Sequence, residues 1–141
     1  MSALTNTGEN LFAKVFFQKA TATGVMAGAT GVASWYVSLH TASPGETASG
    51  AEVAYGSYAR VAVPRTSTTG GWTVTGATAS PQANIDFPAC TSGTTGTATH
   101  FALWTAATGG TCYVYGAITP NIAIGVGVTP RLTTSSTITF A

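Results

Sequence analysis

The sequence has very little charge. Only 6% of its 141 residues are charged, and five basic residues against four acidic residues leave a formal net charge of +1. Five basic residues cannot form the phosphate-neutralising patch that nucleic-acid binding requires, so nucleic acid is excluded as a partner. A surface with such weak self-repulsion favours association. We therefore expect a protein that packs against neighbouring subunits.

Long apolar runs, an export signal and metal-type cysteine spacing are missing as well. No apolar run approaches the roughly 18 residues of a membrane span, so no membrane partner is expected. The first ten residues lack the basic and apolar segments of a signal peptide, which predicts a chain that acts without Sec export. Cys90 and Cys112 do not have zinc-type spacing. We expect them to remain thiols, with a disulfide as the alternative if they meet in space.

The acidic residues and histidines do not suggest an active site. The whole inventory of these side chains is Glu9, Glu46, Glu52, Asp86, His40 and His100. Glu46 and Glu52 lie in a loop rich in small residues, where solvated carboxylates are expected, and no Gly-x-Ser-x-Gly elbow accompanies a histidine. His40 ends a predicted strand and should bond loop carbonyls. We predict a protein that is not an enzyme, with no catalytic, cofactor-binding or metal-binding residues.

Residues 7–19 form the one segment with helical periodicity. Asn6 followed by Glu9 is typical of a helix start. Beyond it, large apolar side chains recur on one face, at Leu11, Phe12, Val15 and Phe16. This face either packs on the chain's own core or docks on a neighbouring subunit, so these four residues are candidate interface residues. We assign residues 1–20 to an N-terminal helical arm.

The remaining residues, 21–141, show short period-two alternation of apolar and polar side chains, which is typical of β-strands. Predicted strands cover residues 32–40, 58–63, 72–75, 84–87, 99–105, 111–118, 122–128 and 131–140, with a hairpin turn at residues 108–110. No second helix is predicted between them. The sequence therefore predicts an all-β fold, an antiparallel β-sandwich or small barrel of seven to eight strands in a single β domain, with one N-terminal helix.

The predicted strand at residues 122–128 has an unusual composition. Branched side chains fill one face, and only Gly or Ala fills the other. Because glycine weakens a strand, Gly125 and Gly127 indicate the close approach of another backbone. That approach is either a sheet contact inside the fold or a subunit contact, which makes both glycines candidate interface residues.

Several segments occur in an order that carries a resemblance. The most specific are residues 39–45 (Leu-His-Thr-Ala-Ser-Pro-Gly) and residues 99–110 (Thr-His-Phe-Ala-Leu-Trp-Thr-Ala-Ala-Thr-Gly-Gly). They follow the N-terminal helix and are accompanied by residues 58–60 (Tyr-Ala-Arg) and 84–88 (Asn-Ile-Asp-Phe-Pro). Over about residues 9–117 the chain resembles a family of small structural proteins of tailed bacteriophages. Its members are often labelled tail-fibre-like, and similar β-proteins serve as capsid cement or decoration subunits.

The resemblance implies a structural role in a virion that is assembled in the bacterial cytoplasm, and it brings no catalytic residues. Our first expectation is a capsid cement or decoration protein, a homotrimer that binds the major capsid protein or other virion proteins. The alternative is a tail component, such as a fibre, spike base or tail-tip subunit. A further alternative is a carbohydrate-binding module with Trp72 or Tyr36 as a stacking platform.

Overall fold

Strands dominate the chain, and one helix precedes them. The computed structural model describes residues 6–18, 31–48, 50–93 and 96–140. In these ranges the elements are α1 (Asn6–Gln18), β1 (Ser34–His40), β2 (Val61–Pro64), β3 (Trp72–Thr75), β4 (Thr78–Pro81), β5 (Ile85–Asp86), β6 (Gly96–Trp104), β7 (Cys112–Ile124), β8 (Arg131–Leu132) and β9 (Ile138–Thr139). The prediction of an all-β fold with a single N-terminal helix is confirmed. Lys19, the predicted end of the helix, lies outside the described residues.

The strands form three sheets, with the orders β2-β1-β6-β7, β3-β4-β9 and β5-β8. The pairs β1–β6, β3–β4, β4–β9, β5–β8 and β6–β7 are antiparallel. Strands β6 and β7 are joined by a hairpin in which Gly109 and Gly110 have φ angles of 61° and 75°. Glycine adopts this left-handed region without the steric cost of a side chain, so the predicted hairpin turn forms where the glycines stand.

Several strands differ from the prediction. Strand β4 was not expected, because its sequence Thr-Ala-Ser-Pro has none of the branched apolar residues that mark a strand. Strand β2 begins three residues later than predicted, at Val61. The predicted strands at residues 111–118 and 122–128 merge into the single strand β7, which ends at Ile124.

One compact unit is drawn from residues 1–34, 63–84 and 133–141. In it, α1 lies against β3 and β4. Phe17 is fully buried, and its ring centroid lies 4.6 Å from that of Trp72. The Arg65 guanidinium donates to the carbonyl oxygens of Val15 and Phe16 at 2.8 and 2.6 Å. These bonds satisfy carbonyls of the last helical turn, where a positive charge also complements the helix dipole.

The second compact unit is drawn from residues 35–62 and 85–132. Its core is built on β1 and β6, which pair so that Val37 faces Leu103 and Leu39 faces Phe101. Both faces of β1 are covered at its end, because Ser38 and His40 are as buried as their apolar neighbours. A buried serine and histidine need hydrogen-bond partners, and these partners define the candidate site.

Candidate functional site

A hydrogen-bonded row of side chains lies on one face of the β1–β6 pair. The register places Tyr36 opposite Trp104 and Ser38 opposite Ala102, so Ser38, His40 and Trp104 share this face. The Trp104 indole Nε1 donates to Ser38 Oγ at 2.8 Å, and Ser38 Oγ lies 2.8 Å from His40 Nε2. On its other side, His40 Nδ1 lies 3.2 Å from the carbonyl oxygen of Gly50.

The carbonyl of Gly50 fixes the direction of this row. A carbonyl oxygen only accepts, so Nδ1 of His40 carries the proton and Nε2 accepts from the Ser38 hydroxyl. Burial lowers the pKa of His40, which keeps the imidazole neutral and preserves this arrangement. The predicted bond between His40 and a loop carbonyl is confirmed. The row ties β6 to β1 and ties β1 to the loop that contains Gly50.

An ion pair stands beside this row. Arg60 Nε donates to Glu52 Oε1 and Arg60 Nη2 donates to Glu52 Oε2, both at 2.8 Å. Tyr58 also donates to Glu52 Oε1, at 3.0 Å. Burial alone would raise the pKa of Glu52, but the hydrogen bonds and positive charge of Arg60 outweigh it and lower the pKa. The prediction that Glu52 is simply a solvated loop carboxylate is wrong, because folding brings Arg60 against it.

Arg60 also holds the β6–β7 hairpin. Its guanidinium carbon lies 3.9 Å from the centroid of the Trp104 ring, a cation–π distance. Its Nη1 donates to the carbonyl oxygens of Ala106 and Gly109 at 3.1 and 2.8 Å. One side chain therefore connects the ion pair, the buried tryptophan and the exposed hairpin. We call Ser38, His40, Glu52, Arg60 and Trp104 the arginine–histidine network.

The network contains a serine and a histidine in hydrogen-bond contact, which is the pairing that a nucleophile and its base make. Here Ser38 is 0% exposed and His40 is 1% exposed. The Ser38 oxygen already accepts from Trp104, and a backbone carbonyl stands where a triad would place a carboxylate. These two side chains therefore hold strands together and do not present a nucleophile to a substrate.

Other groups with potential chemistry are few. Cys90 and Cys112 are free thiols, with Cys90 buried. His100 Nδ1 lies 2.9 Å from Thr99 Oγ1 on the half-buried part of β6. Within the described residues, no three side chains of the metal-ligating types come together. The same residues contain no helix with the length and apolar character that crossing a membrane takes.

The helical candidate interface residues divide between burial and exposure. Val15 is buried, whereas 42% of Phe12 is exposed and Phe16 is half-buried. The Phe16 and Phe12 rings both contact Phe140, at centroid distances of 6.0 and 5.4 Å. The side chain of Leu11 lies outside the described residues. Of the two alternatives for this face, packing within the chain accounts for most of it, and Phe12 is the part that a neighbour could contact.

The glycine pair has a different local structure from the one predicted. Residues 125–128 form a turn closed by a hydrogen bond from the Val128 N–H to the Gly125 carbonyl oxygen. Gly127 has a φ of 86°, and a Cβ there would meet nothing within 4 Å. The turn accounts for the positive φ of Gly127. Another backbone segment of the chain also approaches it, because the Gly127 N–H donates to the Cys90 carbonyl oxygen at 2.8 Å. A subunit contact at Gly125 and Gly127 stays a prediction.

The stacking platform proposed at Trp72 is wrong. Trp72 is 1% exposed, under the ring of Phe17, and cannot stack on a sugar. Tyr36 is half-buried.

A comparison with protein families matches residues 3–139 to the family described as Podophage GP4 fiber I protein gp80. The chain belongs to this family. It is therefore a structural protein of a bacteriophage virion, as the resemblance of its motifs implied. A comparison with the curated proteins found no match.

In this member of the fibre family, three of the segments that carried the resemblance converge on the arginine–histidine network. Residues 39–45 contribute His40, residues 58–60 contribute Arg60, and residues 99–110 contribute Trp104 with the hairpin that Arg60 binds. The motif residues hence act together to fix one part of the fold. The partner that sequence reasoning missed is Glu52, whose only signal is an arginine eight positions later.

The sparse charges of this family member are largely used inside the chain. Arg60 pairs with Glu52, Arg131 pairs with Asp86, and Arg65 binds the end of α1. Of the charged side chains that the structure describes, Lys14 and Glu46 lie outside these interactions. With 6% charged residues in the sequence and most of the described ones paired, few unpaired charges stand on the described surface, which suits close packing against other virion proteins.

Proposed function

We propose that this protein is a non-enzymatic subunit of the tail fibre apparatus of a podophage. The observation that carries the proposal is the family match, which spans residues 3–139 and is to a fibre protein. The match favours a tail component, which was the alternative to the capsid cement protein in the sequence analysis. The capsid cement role has no comparable support from the comparisons.

The hydrogen bonding in the structure supports a structural subunit that resists mechanical force. The arginine–histidine network joins β1, β6 and the loop before Glu52 through charge-assisted and buried hydrogen bonds. Such bonds are stronger than neutral, solvent-exposed ones, so they resist local opening under load. The nearly uncharged surface adds little electrostatic repulsion when copies lie side by side.

The partners follow from this proposal. We propose that the chain contacts other virion proteins and further copies of itself, with Phe12 as one exposed apolar contact. The trimer and the binding to the major capsid protein remain predictions, and measuring the mass of the purified protein and its binding to empty shells would test them.

Electron cryo-microscopy of the whole phage particle tests the location. We expect density that fits both compact units of this chain in a fibre attached to the tail. Gold-labelled antibody against the chain should then mark the tail end of intact particles. Labelling spread over the capsid surface would overturn the fibre proposal and favour the decoration role.

A further inference from the structure

The two histidines of the sequence meet in the fold. The register of β1 and β6 places His40, the last residue of β1, directly opposite His100. Directly opposite residues of an antiparallel pair point to the same face, with their Cβ atoms about 4.5 to 5.5 Å apart. Two imidazole rings are therefore neighbours on the face of the sheet that carries the arginine–histidine network.

A row of three titratable side chains crosses the strands at this point. His40 pairs with His100 on one side and makes an isolated antiparallel bridge with Glu52 on the other. His40 is 1% exposed, whereas His100 is half-buried. The charges that act on His40 are those of Glu52, Arg60 and His100. The middle histidine of the row thus has one acidic and two basic neighbours.

The charges of this row balance at neutral pH and do not balance in acid. Glu52 is already neutralised by its two-bond pair with Arg60. Tyr58, which donates to the same carboxylate, stays uncharged because burial raises the pKa of its phenol. Once both imidazoles have taken up a proton, three positive groups face a single carboxylate. Like charges directly opposite each other on paired strands repel, and burial of His40 strengthens the repulsion.

The hydrogen bonds of His40 favour a response to protons over the binding of a metal ion. Both ring nitrogens are engaged, Nδ1 with the Gly50 carbonyl oxygen and Nε2 with the Ser38 hydroxyl. An imidazolium donates from both nitrogens, so Ser38 can no longer donate to the ring. Its hydroxyl would have to turn to the Ala102 carbonyl oxygen, which at 3.4 Å is too distant for a good O–H···O bond.

We infer that His40 and His100 form an acid-sensitive contact between β1 and β6, which loosens the end of this strand pair next to the loop at residues 41–51. The opposite end, next to the β6–β7 hairpin, should hold in acid. Arg60 binds the hairpin carbonyls of Ala106 and Gly109, and its charge does not change with pH. This inference goes beyond the proposed fibre role, because it applies wherever in the virion the subunit sits.

Hydrogen exchange of the purified full chain, read by NMR, tests where the fold loosens. The amides of Thr41 and Val53 are bonded across the loop end, and the amide of Thr105 is bonded within the hairpin. Between about pH 7.5 and about pH 5, the protection factors of Thr41 and Val53 should fall on the order of tenfold or more. Each pH unit below the ordinary histidine pKa of about 6.5 favours the opened state by up to about tenfold for each proton it takes up. Thr105 should change far less. An equal fall at all three amides, or no fall, overturns the inference.

His100→Gln tests whether the facing pair is the cause. Glutamine is polar but carries no charge, so the fall in protection at the loop end should shrink. The NMR titration midpoint of His40 should also rise, because the positive charge opposite it is gone. Thr97→Gln is the matched control, since Thr97 is exposed on the same strand and this variant keeps both imidazoles. An acid response that is the same in the two variants, or a His40 midpoint that His100→Gln does not change, overturns the inference.

Discussion

The ion pair of Arg60 and Glu52 allows a controlled test of the arginine–histidine network, because the same unit contains a second arginine–carboxylate pair. Arg60→Ala removes the two-bond pair with Glu52, the cation over Trp104 and both bonds to the hairpin carbonyls. It also leaves the Glu52 carboxylate half-buried without its cation. The control is Arg131→Ala, which breaks the pair with Asp86.

The difference in exposure sets the expected magnitudes. The Arg60 and Glu52 side chains are 8% and 28% exposed, against 52% and 45% for Arg131 and Asp86. Removing one partner of a buried pair costs about 3 to 5 kcal/mol, and the partial exposure of Glu52 places Arg60→Ala near the lower end of that range. This is a large share of a typical unfolding free energy of about 5 to 15 kcal/mol. Arg131→Ala should cost far less, because solvent screens exposed pairs.

Urea unfolding followed by tryptophan fluorescence measures both losses. A double-mutant cycle with Glu52→Gln adds a second check, since removing the carboxylate also removes the uncompensated charge. The double variant should therefore be more stable than the sum of the single losses predicts, by about 1 to 3 kcal/mol. Equal losses for Arg60→Ala and Arg131→Ala, or strictly additive losses in the cycle, would refute the reasoning.

Three further predictions concern other parts of the chain. The lowered pKa of His40 means that the unfolded chain binds more protons below its ordinary pKa of 6.5, so the urea midpoint should fall as pH drops through about 6.5, and His40→Gln should reduce that slope. Phe17→Ala should cost about 3 to 5 kcal/mol in thermal or urea unfolding, because the ring is fully buried, whereas Phe12→Ala should cost clearly less, because 42% of that ring is exposed. Gly127→Ala should cost about 1 kcal/mol from its positive φ alone, and Gly71→Ala should cost more in the same urea assay, since its Cβ would clash with the Thr66 carbonyl oxygen.

Local patterns were enough to predict the elements that have a clear period or turn signal. Alternation at residues 35–39 placed Trp35, Val37 and Leu39 on one face of β1, and all three are buried. The adjacent glycines at 109 and 110 located the β6–β7 hairpin. Strand β4 was not predicted because its residues have weak strand preference. Its extended conformation is stabilised by pairing with β3 and β9, which local sequence does not reveal. The end of β7 at Ile124 was not predicted because Gly127 is compatible with both a strand and a turn.

The arginine–histidine network shows why a site can be present in the sequence and still not be readable from it. Ser38 and His40 are two residues apart on one strand, so their shared face follows from the period of two. Trp104 is 66 positions away from Ser38 in the sequence. It joins the two residues only because β1 pairs with β6. The register of that pair is set by which residues fill the core on the opposite face, Val37 against Leu103 and Leu39 against Phe101. The polar row is therefore a consequence of apolar packing, and no pattern of polar residues alone could reveal it.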